Sequence, residues 1–254
     1  VIMMNGTGGV YWPDQQINSM PVWDSYAGVK IKVLNDIEVT FSGEAINGAS
    51  LDVNSGWNII PVLSENNISV NQMFDPLADT IFIIKEIGGG LLYWPSQQIQ
   101  NLFYLETGKA YQAYFLYNCT INYPFSTRGG NSNPRPDENF YTPWNMPVKT
   151  SSSHIAVWPL AELKGFRNGD VIAAFNSIGK CVGQCLIDET NKNYPLCIYG
   201  DDISTPLIVD GMREGEMIQF KLYRPSTNEV ISIDAAYDQS LPQEGCFVDN
   251  GLSK

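Results

Sequence analysis

Val10-Tyr11-Trp12-Pro13-Asp14-Gln15-Gln16-Ile17 returns 82 positions later as Leu92-Tyr93-Trp94-Pro95-Ser96-Gln97-Gln98-Ile99. A shared Trp, Pro and paired Gln make coincidence a poor explanation. A fixed period of this kind is read before anything else, because each copy is one supersecondary unit. Working outward, the offset runs without a gap. Val1-Ile2 falls on Ile83-Ile84, Gly6 and Gly8 on Gly88 and Gly90, Val29 to Val33 on Tyr111 to Phe115, and Ile37 and Val39 on Cys119 and Ile121.

The copies are unequal. The second begins near Asn47 and opens with Leu51-Asp52-Val53-Asn54-Ser55-Gly56-Trp57-Asn58-Ile59-Ile60-Pro61-Val62, which has no counterpart before Val1. The first copy is therefore expected to be the back half of a unit, and the chain a piece of a longer protein. Within a unit, Trp57 to Ile60 reads as a short buried strand. Ser69 caps one short helix that Asp75-Pro76 ends. Thr80 to Lys85 is a β-branched strand, Gly88-Gly89-Gly90 a turn, and Leu91 to Trp94 a return strand stopped by Pro95.

Residues 126–143 are rich in Gly, Asn and Pro without periodicity and read as a linker. Short strands then follow at regular spacing, at 153–158, 170–176, 180–187, 196–199, 216–223 and 229–234. Turn residues lie between them, the pattern of a β-sandwich. The expected fold is mainly β: small antiparallel β modules in tandem, with one short helix per module, followed by a β-sandwich. The expected division is a partial module 1–46, a complete module 47–125, a linker 126–143, a sandwich 144–245 and a tail 246–254.

Composition bounds the partners. The chain has 254 residues, and at 44% hydrophobic content it can bury a core. With 15 basic against 27 acidic residues the net charge is −12, which argues against nucleic acid or an anionic membrane. No apolar run reaches the roughly 18 residues of a membrane span, so membrane insertion is not expected.

Few residues carry recognisable chemistry. The lone histidine, His154, reads as a hydrogen-bonded strand residue. The sequence has no G-x-S-x-G elbow for it to serve, and no H-E-x-x-H, P-loop or dinucleotide fingerprint, so the reading leans away from an enzyme. Five cysteines cannot all pair within one chain. Cys181 and Cys185 on one strand lie about 13 Å apart, too far to bridge each other. A disulfide from either to Cys197 and buried free thiols are equally good readings. Asp201 and Asp202 follow Gly200 in a turn and are candidate calcium ligands, with solvated turn residues as the alternative. Otherwise no cofactor is expected. Tyr11, Trp12, Tyr93, Trp94 and Tyr114 are the candidate ligand-binding residues, because exposed aromatic faces suit sugar rings. Because the module repeats the Tyr-Trp pair, a core plug is the competing reading.

Ser55-Gly56-Trp57-Asn58-Ile59-Ile60, Tyr93-Trp94-Pro95 and Gly108-Lys109-Ala110-Tyr111 resemble the tandem "GWNLI … YWP … GKGY" modules of bacterial surface and secreted proteins. Ala110 stands where that pattern has a Gly. The C-terminal half, with His154-Ile155-Ala156-Val157, Asn168 to Phe175 and Cys181-Val182-Gly183, is similar to a β-sandwich of multi-module proteins of Bacteroidota, where it often precedes a type IX secretion sorting domain. The resemblance implies an extracellular, cell-surface location and a non-catalytic role in adhesion or ligand binding, carbohydrate included. A structural stalk or fibre subunit assembling through strand contacts, or accessory modules of a larger secreted hydrolase, are the alternatives. The implied partners are other modules of the same longer chain and a glycan or cell-surface ligand.

Overall fold

The computed structural model describes residues 1–254 except positions 7, 21, 39, 41, 45, 47, 126–130, 135–139 and 189. The boundary expected at Asn47, much of the linker, and the acidic pair Asp137-Glu138 lie outside the described residues. The protein is mainly β, with several antiparallel sheets. Among the described residues there is a single short α-helix. Two compact units divide the chain. One holds both repeat copies up to Pro134 apart from 88–90 and 97–99; the other holds those short segments and the C-terminal half.

The first copy forms β1 (Ile2–Asn5), β2 (Val10–Trp12), β3 (Ile17–Asn18) and β4 (Val29–Lys32). They make one antiparallel sheet in the order β3-β2-β1-β4. Pro13 opens a single 3-10 turn after β2, where its fixed φ suits the first helical position. Gln16 ends that turn in the left-handed region, at φ 56°.

The second copy adds a front half: β5 (Ser50–Val53), β6 (Gly56–Pro61), β7 (Ile68–Ser69) and helix α1 (Val70–Phe74). Ser69 caps α1 by accepting a 3.4 Å hydrogen bond from the Gln72 amide. The back half follows as β8 (Ile81–Glu86), β9 (Leu92–Trp94), β10 (Ile99–Gln100), β11 (Tyr104–Leu105), β12 (Ala110–Phe115) and β13 (Cys119–Asn122). The main sheet runs β10-β9-β8-β12-β6; β11 pairs with β7 and β13 with β5. Strands β10-β9-β8-β12 thus reproduce β3-β2-β1-β4, and Gln98, at φ 52°, repeats the turn of Gln16.

The gapless offset fails in one strand. Tyr93 faces Ile84, so Tyr11 should face Ile2; instead it faces Met3, and Met3 also faces Ile31. The loop joining β1 to β2 is one residue shorter than that joining β8 to β9. A one-residue slip moves every side chain of a strand to the other face, so Met3, not Ile2, occupies the position of Ile84.

One face of the second copy's sheet (Ile60, Ile84, Tyr93, Tyr111, Ala113, Phe115) packs under Val53, Leu63, Ile68, Val70, Met73, Phe74, Leu102, Leu105, Ile121 and Tyr123. Val70, Met73 and Phe74 are spaced i, i+3, i+4, which puts them on one side of α1. Each such side chain contributes about 1.5–3 kcal/mol when removed from water. Beyond β13, Asn133 is buried. It accepts from the Phe103 and Tyr104 amides (2.7 and 2.8 Å) and donates to the Tyr104 carbonyl and Glu106. That part of the expected linker is pinned to its module.

The C-terminal half comprises β14 (Ser153–Pro159), β15 (Val171–Phe175), β16 (Cys181–Leu186), β17 (Asn193–Tyr199), β18 (Gln219–Arg224), β19 (Glu229–Ile233) and β20 (Leu252–Ser253). Sheets β17-β14-β20 and β16-β15-β18-β19 form the sandwich. Ala156, Leu196 and Ile198 of the first meet Ile172, Ala174, Val182, Phe220 and Leu222 of the second in a shared core. Buried Asp170 is paired with Arg224 at 2.9 Å, tying the start of β15 to the end of β18. The expected tail 246–254 is a structural element instead. Phe247 is buried in the core, and β20 adds to β14 in parallel.

Candidate functional site

The aromatics expected to hold a ligand do not form one site. Tyr93 and Trp94 are buried, at 6% and 0% exposure, and cannot stack on anything from outside. Alternation along β9 sends Tyr93 into the module core and Trp94 to the opposite face of the sheet. There Trp94 lies 5.6 Å from Phe82, which also contacts Tyr114; Tyr114 meets Trp57 edge-on at 5.4 Å. The Lys85 ammonium sits 5.2 Å over the Trp57 ring. Trp94 Nε1 and Gln112 Oε1 are buried with no hydrogen-bond partner among the described residues. Trp94 is the buried member of this cluster, and Trp57, Phe82 and Tyr114 are half-buried around it. In the first copy Tyr11 is exposed and Trp12 half-buried, on opposite faces of their sheet.

An aromatic strip that the repeat does not announce lies on the outer face of sheet β16-β15-β18-β19. Ile172, Ala174, Phe220 and Leu222 point inward, so alternation turns Ala173, Phe175, Lys221 and Tyr223 outward. Residues 141–145 cross this face. Trp144 meets Phe175 edge-on at 5.1 Å and Tyr223 at 6.0 Å, and Tyr141 meets Tyr223 at 6.1 Å. The crossing is fixed by polar bonds: Thr142 Oγ1 donates to Gln184 Oε1, and Gln184 Nε2 donates to the Asn145 carbonyl. Lys221 Nζ sits 4.5 Å over the Phe175 ring. Phe175 and Tyr223 are buried, Trp144 is half-buried and Tyr141 is 75% exposed. The strip grades from a dry base to a wet aromatic edge. The sequence signal for it is Tyr141-Thr142-Pro143-Trp144, two aromatics on either side of the expected boundary between linker and sandwich.

The other candidates hold structure. Cys181, Cys185 and Cys197 are thiols, in no disulfide. Cys181 Sγ is directed at the Gly183 carbonyl and Cys185 Sγ at that of Leu186, each along its own strand. Burial raises the Cys181 thiol and pushes Cys185 up to about 12, with Asp188 adding to it, so neither is a thiolate at neutral pH. Asp201 Oδ1 accepts from the Asp210 and Gly211 amides, and Asp202 Oδ1 from the Ser204 amide and hydroxyl. These carboxylates brace the loop 201–211 against itself. Among the described residues no three His, Cys, Asp or Glu side chains are placed to hold a metal. His154 is buried; its Nδ1 accepts from the Val248 amide at 3.4 Å, so Nε2 is the nitrogen left to donate to Ser253 Oγ at 2.9 Å. It tethers the C-terminal strand to β14.

Compared with known proteins, the chain matches no family model, no curated protein and no solved structure.

Proposed function

We propose that this chain is a non-catalytic region of a secreted cell-surface protein, that it works in adhesion, and that the outer aromatic strip of the sandwich holds a carbohydrate. The observation that carries the reading is that exposed Tyr141 and half-buried Trp144 both meet Tyr223 on one face of the sheet. Rigid aromatic faces lose little entropy when a sugar ring settles on them. Ser232 is exposed and in register with Lys221, so donors flank the rings. The non-catalytic part is supported by thiols held protonated and by a histidine committed at both nitrogens. The surface location rests on the resemblance of the modules to those of secreted Bacteroidota proteins.

The test is a glycan array probed with the purified chain, followed by titration of any hit against Tyr141→Ala. That side chain is exposed, so its loss leaves the fold intact. The expected result is saturable binding weakened at least about tenfold, the effect of removing roughly 1.4 kcal/mol. An array without binding, or a hit that Tyr141→Ala binds as well, overturns the reading.

A further inference from the structure

We propose that the first-copy sheet is a docking surface for a polypeptide segment built like residues 50–77, an extended strand followed by a short apolar helix. The inference goes beyond the carbohydrate reading and involves different residues. The second copy supplies the template, because it shows the same sheet with such a segment in place.

Three back-half strands of the second copy pair with front-half strands: β12 with β6, β11 with β7, and β13 with β5. The counterparts of β11 and β13 in the first copy are residues 22–23 and 37–40. Among the described residues these form no strand. The side chains change state with the backbone. Leu105 is fully buried, whereas its counterpart Trp23 is 51% exposed; Ala113 is fully buried, whereas Ile31 is 49% exposed; Tyr93 is buried, whereas Tyr11 is exposed. Ile37, the counterpart of half-buried Cys119, is also exposed. Tyr11, Met3 and Ile31 are direct cross-strand neighbours, so they form one continuous apolar row.

The chemistry of the occupant follows from what covers the equivalent row. In the second copy Ile60 extends the row onto the neighbouring strand, and Val70, Met73 and Phe74 on a helix with Val53 and Ile68 on short strands cover it. A segment of this kind docks by strand addition with apolar side chains in alternate pockets, a recurrent mode of peptide recognition. Met3 and Ile31 beside Tyr11 make the row apolar, which suits the apolar side chains of such a segment.

The experiment titrates the full chain with a fluorophore-labelled synthetic peptide of residues 48–80 and follows anisotropy. Saturable one-to-one binding is expected. It weakens at least about tenfold with Ile31→Asp and with Tyr11→Ser, both exposed positions whose change leaves the chain folded, and it is unaffected by Ile178→Asp in the sandwich. A peptide carrying Ile60→Asp and Phe74→Asp does not bind. Hydrogen exchange at 22–23 and 37–40 slows on binding. Absence of saturable binding overturns the proposal. So does binding that Ile31→Asp leaves unchanged, since the peptide has then exchanged into the second module. Concentration-dependent dimerisation of the chain alone, lost in Ile31→Asp, assigns the face to a second copy and overturns it as well.

Discussion

The two repeat copies share a hairpin down to a left-handed glutamine and differ in nearly everything that burial controls. Val10 to Asn18 and Leu92 to Gln100 each make a strand, a proline-led 3-10 turn and a return strand, and each closes at φ above 50°. Yet the β9 hairpin is part of a core, whereas every described non-glycine residue of β1 to β4 is at most half-buried. Local sequence suffices for the hairpin, because turn chemistry and strand propensity act over a few residues. Burial does not follow, since it is supplied by residues some 30 positions away in the front half. Most of a module's stability resides in that non-local contact.

The sharpest way to break this contrast is to cut both copies on the same face. Ile84→Ala removes a fully buried side chain and is expected to cost about 2–5 kcal/mol. Ile31→Ala, on the matching face of β4, is expected to stay within about 0.5 kcal/mol. Urea denaturation of the two variants measures this. Equal losses would mean that the first sheet draws on a core of its own.

An intermediate effect is expected where the copies differ by one methyl group. Gly28 corresponds to Ala110. A Cβ at Gly28 would come 2.4 Å from Ile59 Cγ2 and 2.8 Å from the Ile59 carbonyl oxygen, so the first sheet meets β6 through a position that admits only glycine. Gly28→Ala is expected to cost about 1–3 kcal/mol by overpacking. The reverse change, Ala110→Gly, costs about 0.5–1 kcal/mol through backbone entropy alone. Hydrogen exchange in β1 and β4 separates the two: it speeds up in Gly28→Ala and stays at the native rate in Ala110→Gly.

Much of this architecture was legible in the sequence, and what was not has identifiable causes. Ser69, Pro95 and the glycine turns act locally, and the cap, strand stop and hairpins lie where those residues predict. The slip in β1 was hidden because Ile2, Met3 and Met4 are all apolar; a run without alternation does not say which residue faces inward. The tail was misread for a similar reason. Cys246-Phe247-Val248 and Leu252 are too short an apolar pattern to announce a strand, and β20 exists through the parallel partner β14, far away in sequence. At the candidate site, the Tyr93-Trp94 pair is buried, whereas its counterpart Tyr11-Trp12 is exposed and half-buried. Tyr141 and Trp144 gain their setting from Phe175 and Tyr223, residues 30 to 80 positions away. Repetition marks what a module needs in order to fold, which is a poor guide to what a surface binds.

The smallest expected difference between the copies is electrostatic. In the second copy Lys109 Nζ lies 2.7 Å from Glu106 and 3.3 Å from Glu86. The first copy has Asp24 and Ala27 at the positions of Glu106 and Lys109. The hydrogen bond from Lys109, aided by Asn133 and opposed by partial burial, holds the Glu106 carboxyl below its usual range. A depressed folded-state pKa contributes stability that is fully present above the unfolded value of about 4.3 and disappears as pH falls through the lower folded value. Water screens the pair, since Lys109 is about one-third exposed, which limits its worth to about 1 kcal/mol or less. Lys109→Ala should therefore lower Tm slightly at pH 7 and progressively less on the way to pH 3. Ala27→Lys, placed three residues after Asp24, should raise stability by no more than a few tenths of a kcal/mol, because that turn is exposed. A Tm gap that holds constant from pH 7 to pH 3 would remove Glu106 from the account and leave the lost contacts of the Lys109 side chain as the whole effect.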